Sequence, residues 1–169
     1  MPEPDSPSKA AETMNLQTVR RLYKAFGERD AATMAACYHP DARFSDPVFQ
    51  DLHGTEIGQM WSMLGAGAKD LTITATEMQA DATAGSALWV ATYTFSRTGR
   101  PVRNVITARF LFRDGLIVDH KDRFGFWRWS RQALGPTGLF LGWTPMVRSK
   151  VRADARGRLI KFMAENPKA

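Results

Sequence analysis

With 169 residues, of which 44% are hydrophobic and 24% charged, the chain has the size and composition of one globular domain with a single core, which disfavours a two-domain layout. The formal charge of +6 is uneven, because from Arg123 onward ten basic residues stand against two acidic ones while the rest of the chain is slightly acidic. No apolar run approaches the ~18 residues needed to cross a bilayer, the acidic, Pro/Ser-rich start does not read as a secretion signal, and a lone Cys37 beside three histidines excludes an intramolecular disulfide and a zinc-type cluster.

Residues 1–12 read as a disordered tail and 13–127 as the folded domain. From Asn15, a candidate N-cap, Leu16, Val19, Leu22, Tyr23 and Phe26 recur at three- and four-residue steps, which predicts a helix ended by Gly27. Asp30 caps a second short helix through Met34, Ala35 and Tyr38, stopped at His39-Pro40. Arg43-Phe44-Ser45 makes a short strand closed by Asp46-Pro47. Thr55 opens a third helix carrying Ile57, Met60, Trp61 and Leu64, closed by Gly65-Ala66-Gly67.

The period then changes to two. Leu71, Ile73 and Ala75 alternate with threonines, and residues 86–97, 102–113 and 116–127 read as three longer strands. Thr98-Gly99-Arg100-Pro101 and the tight turn Asp114-Gly115 join them as an antiparallel meander. Helices followed by long strands give an α+β class. A twisted, curved antiparallel sheet wrapped around the N-terminal helices forms a cone, and the mouth of the cone is a natural pocket for a hydrophobic small molecule.

Residues 128–169 form a C-terminal extension. After Thr144-Pro145, a helix-start pair, Val147, Val151, Ala155, Leu159 and Phe162 or Met163 make an apolar stripe beside Arg148, Arg152, Arg156 and Arg158. The stripe of this basic amphipathic helix needs a cover, and the protein's own cone mouth is expected first. A second subunit ranks next, and an anionic membrane last, because Gly157 weakens an isolated interfacial helix. Nucleic acid is disfavoured as a partner, since the basic tail lacks interleaved aromatics.

The stretches YKAFGERDAATMAACYHPDARFSDP and HGTEIGQMW, followed later by FLFRDGLIVDHKDRFGF, resemble in their order the nuclear-transport-factor-2-like superfamily. Within it they resemble the SnoaL-like polyketide cyclase and ketosteroid isomerase branch. The resemblance covers about Leu16 to Phe126. It implies the cone fold, a homodimer paired through outer sheet faces, and two catalytic positions. Asp46 in FSDPVF matches the isomerase general base, and Asp122 in HKD matches the cyclase acid/base. The isomerase oxyanion donors are not matched: Leu22 falls at the tyrosine position with Tyr23 one residue off, and Ala108 falls where an aspartate would stand. Steroid isomerisation itself is therefore disfavoured.

The residues carry a reading of their own. By strand period, Leu116, Val118, His120, Asp122, Phe124 and Phe126 share one face of the last strand. A carboxylate among apolar neighbours is desolvated and suited to proton transfer, and His120 is placed to orient it. The blander alternatives are that the two satisfy each other or bond Arg109 or Arg113. Catalytic candidates are thus Asp46, Asp122 and His120, and substrate-contacting candidates are Tyr23, Trp61, Phe110 and Phe124. Two functions remain open: a cofactor-independent isomerase, cyclase or related lyase/hydratase acting on a hydrophobic carbonyl compound, or a non-catalytic binding or subunit-association module of the same fold. A cytoplasmic location without metal or cofactor is expected.

Overall fold

The computed structural model describes residues 7–67 and 69–167. The first helix, α1, spans Pro7–Glu28. It starts well before Asn15, so residues 7–12 are helical rather than a tail, while residues 1–6 lie outside the described residues. Asn15 is not a cap. It is buried in mid-helix, and its Nδ2 donates to the Asp81 carbonyl at 2.9 Å, so a tertiary bond overrides its local preference. Val19, Leu22, Tyr23 and Phe26 form the buried stripe.

Asp30 does cap α2 (Ala31–Ala35), accepting from the Thr33 amide. The helix stops earlier than the sequence suggests, and β1 (Tyr38–Ser45) begins at once. Pro40 is tolerated inside β1 because the register slips between Tyr38 and Arg43. After the two-residue β2 (Leu52–His53) comes α3 (Thr55–Gly67), which buries Ile57, Met60 and Trp61.

Four strands follow: β3 (Thr72–Ala80), β4 (Ala84–Phe95), β5 (Arg100–Arg113) and β6 (Leu116–Arg123). The sheet order is β2-β1-β6-β5-β4-β3, a curved and unclosed α+β sheet. The β5–β6 turn places Asp114 and Gly115 at φ 53° and 75°, the double left-handed conformation of a tight hairpin. The meander is antiparallel, but β1 joins it parallel to β6, pairing Phe44 with His120 and Ser45 with Lys121. That pairing brings the end of β1, and with it Asp46, level with Asp122.

The sheet departs from the expected phase in β6. A register shift pairs Leu111 with Asp119 and Phe112 with Ile117, leaving Val118 as the extra residue of a bulge. Ile117 is therefore the fully buried residue, while Leu116 and Val118 are half-exposed. The strand also ends at Arg123, and Phe126 opens α4 (Phe126–Ala133) instead of continuing the sheet face. Phe126, Trp129 and Ala133, spaced along one face of that helix, are buried with Val102 in a second small core.

Short α5 (Pro136–Leu141) leads to α6 (Pro145–Glu165), whose N-cap Thr144 accepts from the Val147 amide. The α6 stripe lies on the protein. Leu159, Ala155 and Met163 pack on the main core, and Val147 and Val151 pack on the second. Arg97 to Asp154 (2.7 Å) and Arg156 to Glu56 (2.6 Å) pin its flanks, and Arg152 Nε donates to the Pro47 carbonyl at 3.0 Å. No helix of the described residues is long and apolar enough to cross a membrane.

Candidate active site

A cavity of about 210 Å³ opens inside the cone between α3, the inner faces of β4–β6, and α6. Its wall is mostly apolar, with Trp61 from α3, Trp89 from β4 and Trp129 from α4, while Val151, Ala155 and Arg158 of α6 close one side. Two carboxylates reach this wall, Asp46 at the end of β1 and Asp122 on β6.

Asp122 is 4% exposed and fixed at one oxygen. Its Oδ1 lies 3.0 Å from His120 Nε2 and 3.4 Å from the Trp89 indole Nε1. Its Oδ2 has no hydrogen-bond partner among the described residues. His120 is buried behind it, 2.8 Å through Nδ1 from the Tyr38 hydroxyl, which in turn accepts from Trp61 Nε1 at 3.1 Å. An indole N–H only donates, so Trp61 fills one acceptor position on Tyr38 and leaves the hydroxyl proton available to His120 Nδ1; in the tautomer that accepts it, the imidazole N–H lies at Nε2, facing Asp122. Phe44 and Phe110 pack on the imidazole with ring centres at 5.0 and 4.5 Å.

The Tyr38 hydroxyl keeps its proton. Burial first, and then the negative charge of Asp122, push its pKa well above the ordinary tyrosine value. The same two causes act on Tyr23, whose hydroxyl is buried with no partner among the described residues.

Asp46 is half-buried, and its Oδ1 accepts from the Val48 and Phe49 amides at 2.6 and 2.5 Å, a tight turn around Pro47. Burial pushes its pKa up to about 7 despite those two donors, and the charge of Asp122 adds to the rise. No partner of its Oδ2 exists among the described residues. Each carboxylate thus has one anchored and one unengaged oxygen.

Of the residues singled out by sequence, Asp46, Asp122, Trp61 and Phe124 line the cavity. His120 supports Asp122 from behind without reaching the cavity wall. Tyr23 and Phe110 do not line this cavity and are buried in the main core. Tyr23 packs on Trp89 at 5.8 Å, and it is Trp89 that faces the cavity. Arg109 and Arg113 do not serve Asp122: Arg109 is exposed and Arg113 bonds Asp41. Cys37 is buried, and burial pushes its thiol up to about 11, which removes it as a nucleophile.

Three polar contributors were missed. Tyr38 was hidden by the helix assigned to it. Tyr93 and Asn104 line the cavity, and Tyr93 accepts from Trp129 Nε1 at 2.9 Å. Both sit in the inward phase of their strands, Tyr93 with Trp89 and Ala91, and Asn104 with Val102 and Ile106. A polar residue in an inward phase was the available signal. The Asn104 amide has no side-chain partner among the described residues. No group of His, Cys, Asp and Glu placed to hold a metal ion occurs among the described residues.

The comparisons with known proteins agree with this architecture. An LEH-like epoxide hydrolase of M. tuberculosis superposes with a TM-score of 0.59 at 17% identity, over 76% of this chain and 93% of that one. TsrD from Streptomyces laurentii gives 0.62 at 20% identity, over 72% and 95%. A protein with a ketosteroid isomerase-like fold from Catenulispora acidiphila DSM 44928, in complex with trimethylamine, gives 0.64 at 15%, over 76% and 98%. At such identities the likeness establishes the cone fold alone. No curated protein sequence matches. The family model described as SnoaL-like domain matches residues 19–120, from the buried stripe of α1 to the histidine behind Asp122. The chain therefore belongs to the SnoaL-like domain family.

Proposed function

We propose that this chain is a cofactor-independent acid/base enzyme that moves a proton next to the carbonyl of a hydrophobic compound, as an isomerase, cyclase or related lyase/hydratase. The observation that carries this reading is the pair of carboxylates in one apolar wall, each held by one oxygen and unengaged at the other. Two acids in unlike environments divide the roles of base and acid. Asp122, oriented by His120 and Trp89, takes the proton from the carbon beside the carbonyl. Asp46, whose proton is held near neutral pH, returns one to carbon in an isomerisation, or to the new alkoxide if the enolate closes a ring.

The developing enolate oxygen needs a donor. Neither Leu22 nor Ala108 supplies one, and the Asn104 amide, unengaged in the same wall, is suited to do so. His120 acts through Asp122 and is a positioning residue. The apolar lining favours an uncharged ring system and strengthens each electrostatic contact by excluding water.

A panel of cyclic and polyketide-like ketones and lactones in deuterated buffer tests the reading, with label uptake beside the carbonyl followed by proton NMR. The wild type is expected to label at least one compound. Asp122→Asn should lower that rate by roughly a hundredfold to ten-thousandfold while binding persists. Asn104→Ala should lower it by about a hundredfold. No labelling across the panel, or labelling untouched in both Asp122→Asn and Asp46→Asn, overturns the catalytic reading and leaves a binding module.

A further inference from the structure

The stripe of α6, expected first on the protein's own cone and last on a membrane, is buried on the cone, but a different apolar surface is not. Phe140 (69% exposed), Trp143 (66%) and Met146 (70%) stand out beside Leu139, Leu141 and Trp127 around α5 and its junctions. Large side chains left in water as a cluster mark an interaction surface.

Their exposure is built in. A Cβ on Gly138 would lie 1.9 Å from the Ser130 carbonyl oxygen, and one on Gly142 would lie 2.0 Å from Ser130 Oγ, so these two glycines let α5 seat its backbone directly on α4. With the glycine side turned inward, Leu139 and Phe140 face out. The Trp127 indole donates to the Leu139 carbonyl at 3.1 Å and the Trp143 indole to the Phe140 carbonyl at 3.0 Å, which fixes both rings at the surface.

The charge around the patch selects the partner. From Arg123 to Ala153 the chain has six basic residues and no acidic one. Arg128, Arg131, Arg148 and Lys150 are exposed there and enter no ion pair among the described residues. Arg131 lies over the Trp127 ring, with its guanidinium carbon at 5.2 Å. A second copy of the chain would bring this cationic rim against itself. Nucleic acid fits the rim but not the aliphatic centre formed by Leu139, Leu141 and Met146.

We infer that this face docks on a bilayer carrying anionic phospholipids. Tryptophan and aliphatic side chains enter the interfacial layer while arginine and lysine meet the headgroups. Trp129 of α4 and Val151 of α6 line the cavity, so the elements that carry the patch also wall the pocket. On the catalytic reading, docking would place the pocket beside the phase in which a hydrophobic substrate dissolves.

Cosedimentation of the full chain with vesicles tests the assignment without reference to turnover. Vesicles of phosphatidylcholine mixed with phosphatidylglycerol should retain the protein, and vesicles of phosphatidylcholine alone should not. Raising the salt should weaken retention about tenfold. Phe140→Ser with Trp143→Ser should weaken it at least about tenfold on the same vesicles, and Arg128→Gln with Arg131→Gln and Arg148→Gln should abolish the preference for phosphatidylglycerol. All five side chains are exposed, so melting temperatures should stay at the wild-type value. Should the double variant melt early, Phe140→Ser alone carries the test. The assignment falls if the wild type stays in the supernatant, or if the variants bind as the wild type does. It also falls if Phe140→Ser dissociates a dimer in sedimentation, or if the same variants lose a tighter affinity for duplex DNA.

Discussion

The hydroxyls of Tyr23 and Tyr38 are both buried, yet Tyr38 bridges Trp61 and His120 while Tyr23 has no partner among the described residues. An unpaired buried polar group is destabilising, and one that pairs two neighbours leaves both unsatisfied when it is removed. Tyr38→Phe should therefore lower stability by about 1–3 kcal/mol, and Tyr23→Phe should raise it by about 1 kcal/mol. Thermal denaturation of the two variants checks this, and shifts of the same sign would refute the bonding chain behind Asp122. Asp46 makes a prediction in pH. Its folded pKa of about 7 lies above the ordinary 3.8, so the folded state keeps a proton that the unfolded chain releases. Its contribution to stability is complete below pH 3.8 and is lost as pH rises through about 7. Asp46→Asn has no such loss, so melting temperatures of variant and wild type should diverge in favour of Asn from acid to neutral pH. A gap that does not change with pH would show that the Asp46 carboxyl is unperturbed. In turnover, a proton-donating Asp46 should make the rate fall above about pH 7.

At the scale of the element, α6 is held by its apolar face more than by its ion pairs, which are exposed and contribute little. Leu159 is fully buried and its neighbour Ile160 is 55% exposed. Leu159→Ala should cost about 2–5 kcal/mol, whereas Ile160→Ala should change stability by no more than about 0.5 kcal/mol. Equal effects in chemical denaturation would mean that α6 does not pack as described. Its stripe was legible because the 3.6-residue period survives a partner of any kind, and Thr144-Pro145 marked its start. The period of two in the last strand likewise put His120 and Asp122 on one face, and the helical stripe of α3 included Trp61. What sequence hid was tertiary. Nothing local announces the Val118 bulge, which reverses the phase of the first half of β6. Nothing local marks the bond from Asn15 to Asp81 that turns an apparent cap into mid-helix. Tyr23 and Phe110 have the right phase but lie too deep, where the packed rings of Trp89 and His120 leave no cavity to reach.

For the whole molecule, the outer face of the sheet bears on assembly. Val90 and Val105 sit directly opposite each other on β4 and β5, with Leu88 nearby and Leu111 49% exposed at the far end of β5. Thr74 and Thr76 of β3 pair with Val90 and Leu88 and continue the face, while Arg103, Arg109 and Lys121 edge it. A band of β-branched and aliphatic residues with a charged margin has the layout of an interface core and rim. A stable pair needs about 800 Å² from each partner, which a curved sheet of four long strands is large enough to offer. We expect a homodimer through this face. It leaves α5 with its exposed aromatic residues on a separate surface, and it leaves the cavity on the inner side of the sheet. Sedimentation at tens of micromolar should show twice the chain mass. Val90→Lys with Val105→Lys should yield a monomer that keeps its fold, since both side chains are only partly buried and point away from the core. A wild type that sediments as a monomer, or a doubly substituted chain that remains dimeric, would place the contact elsewhere or remove it. Retention on anionic vesicles should be weaker for the monomeric variant than for the dimer, because two patches on one particle bind with a raised effective concentration.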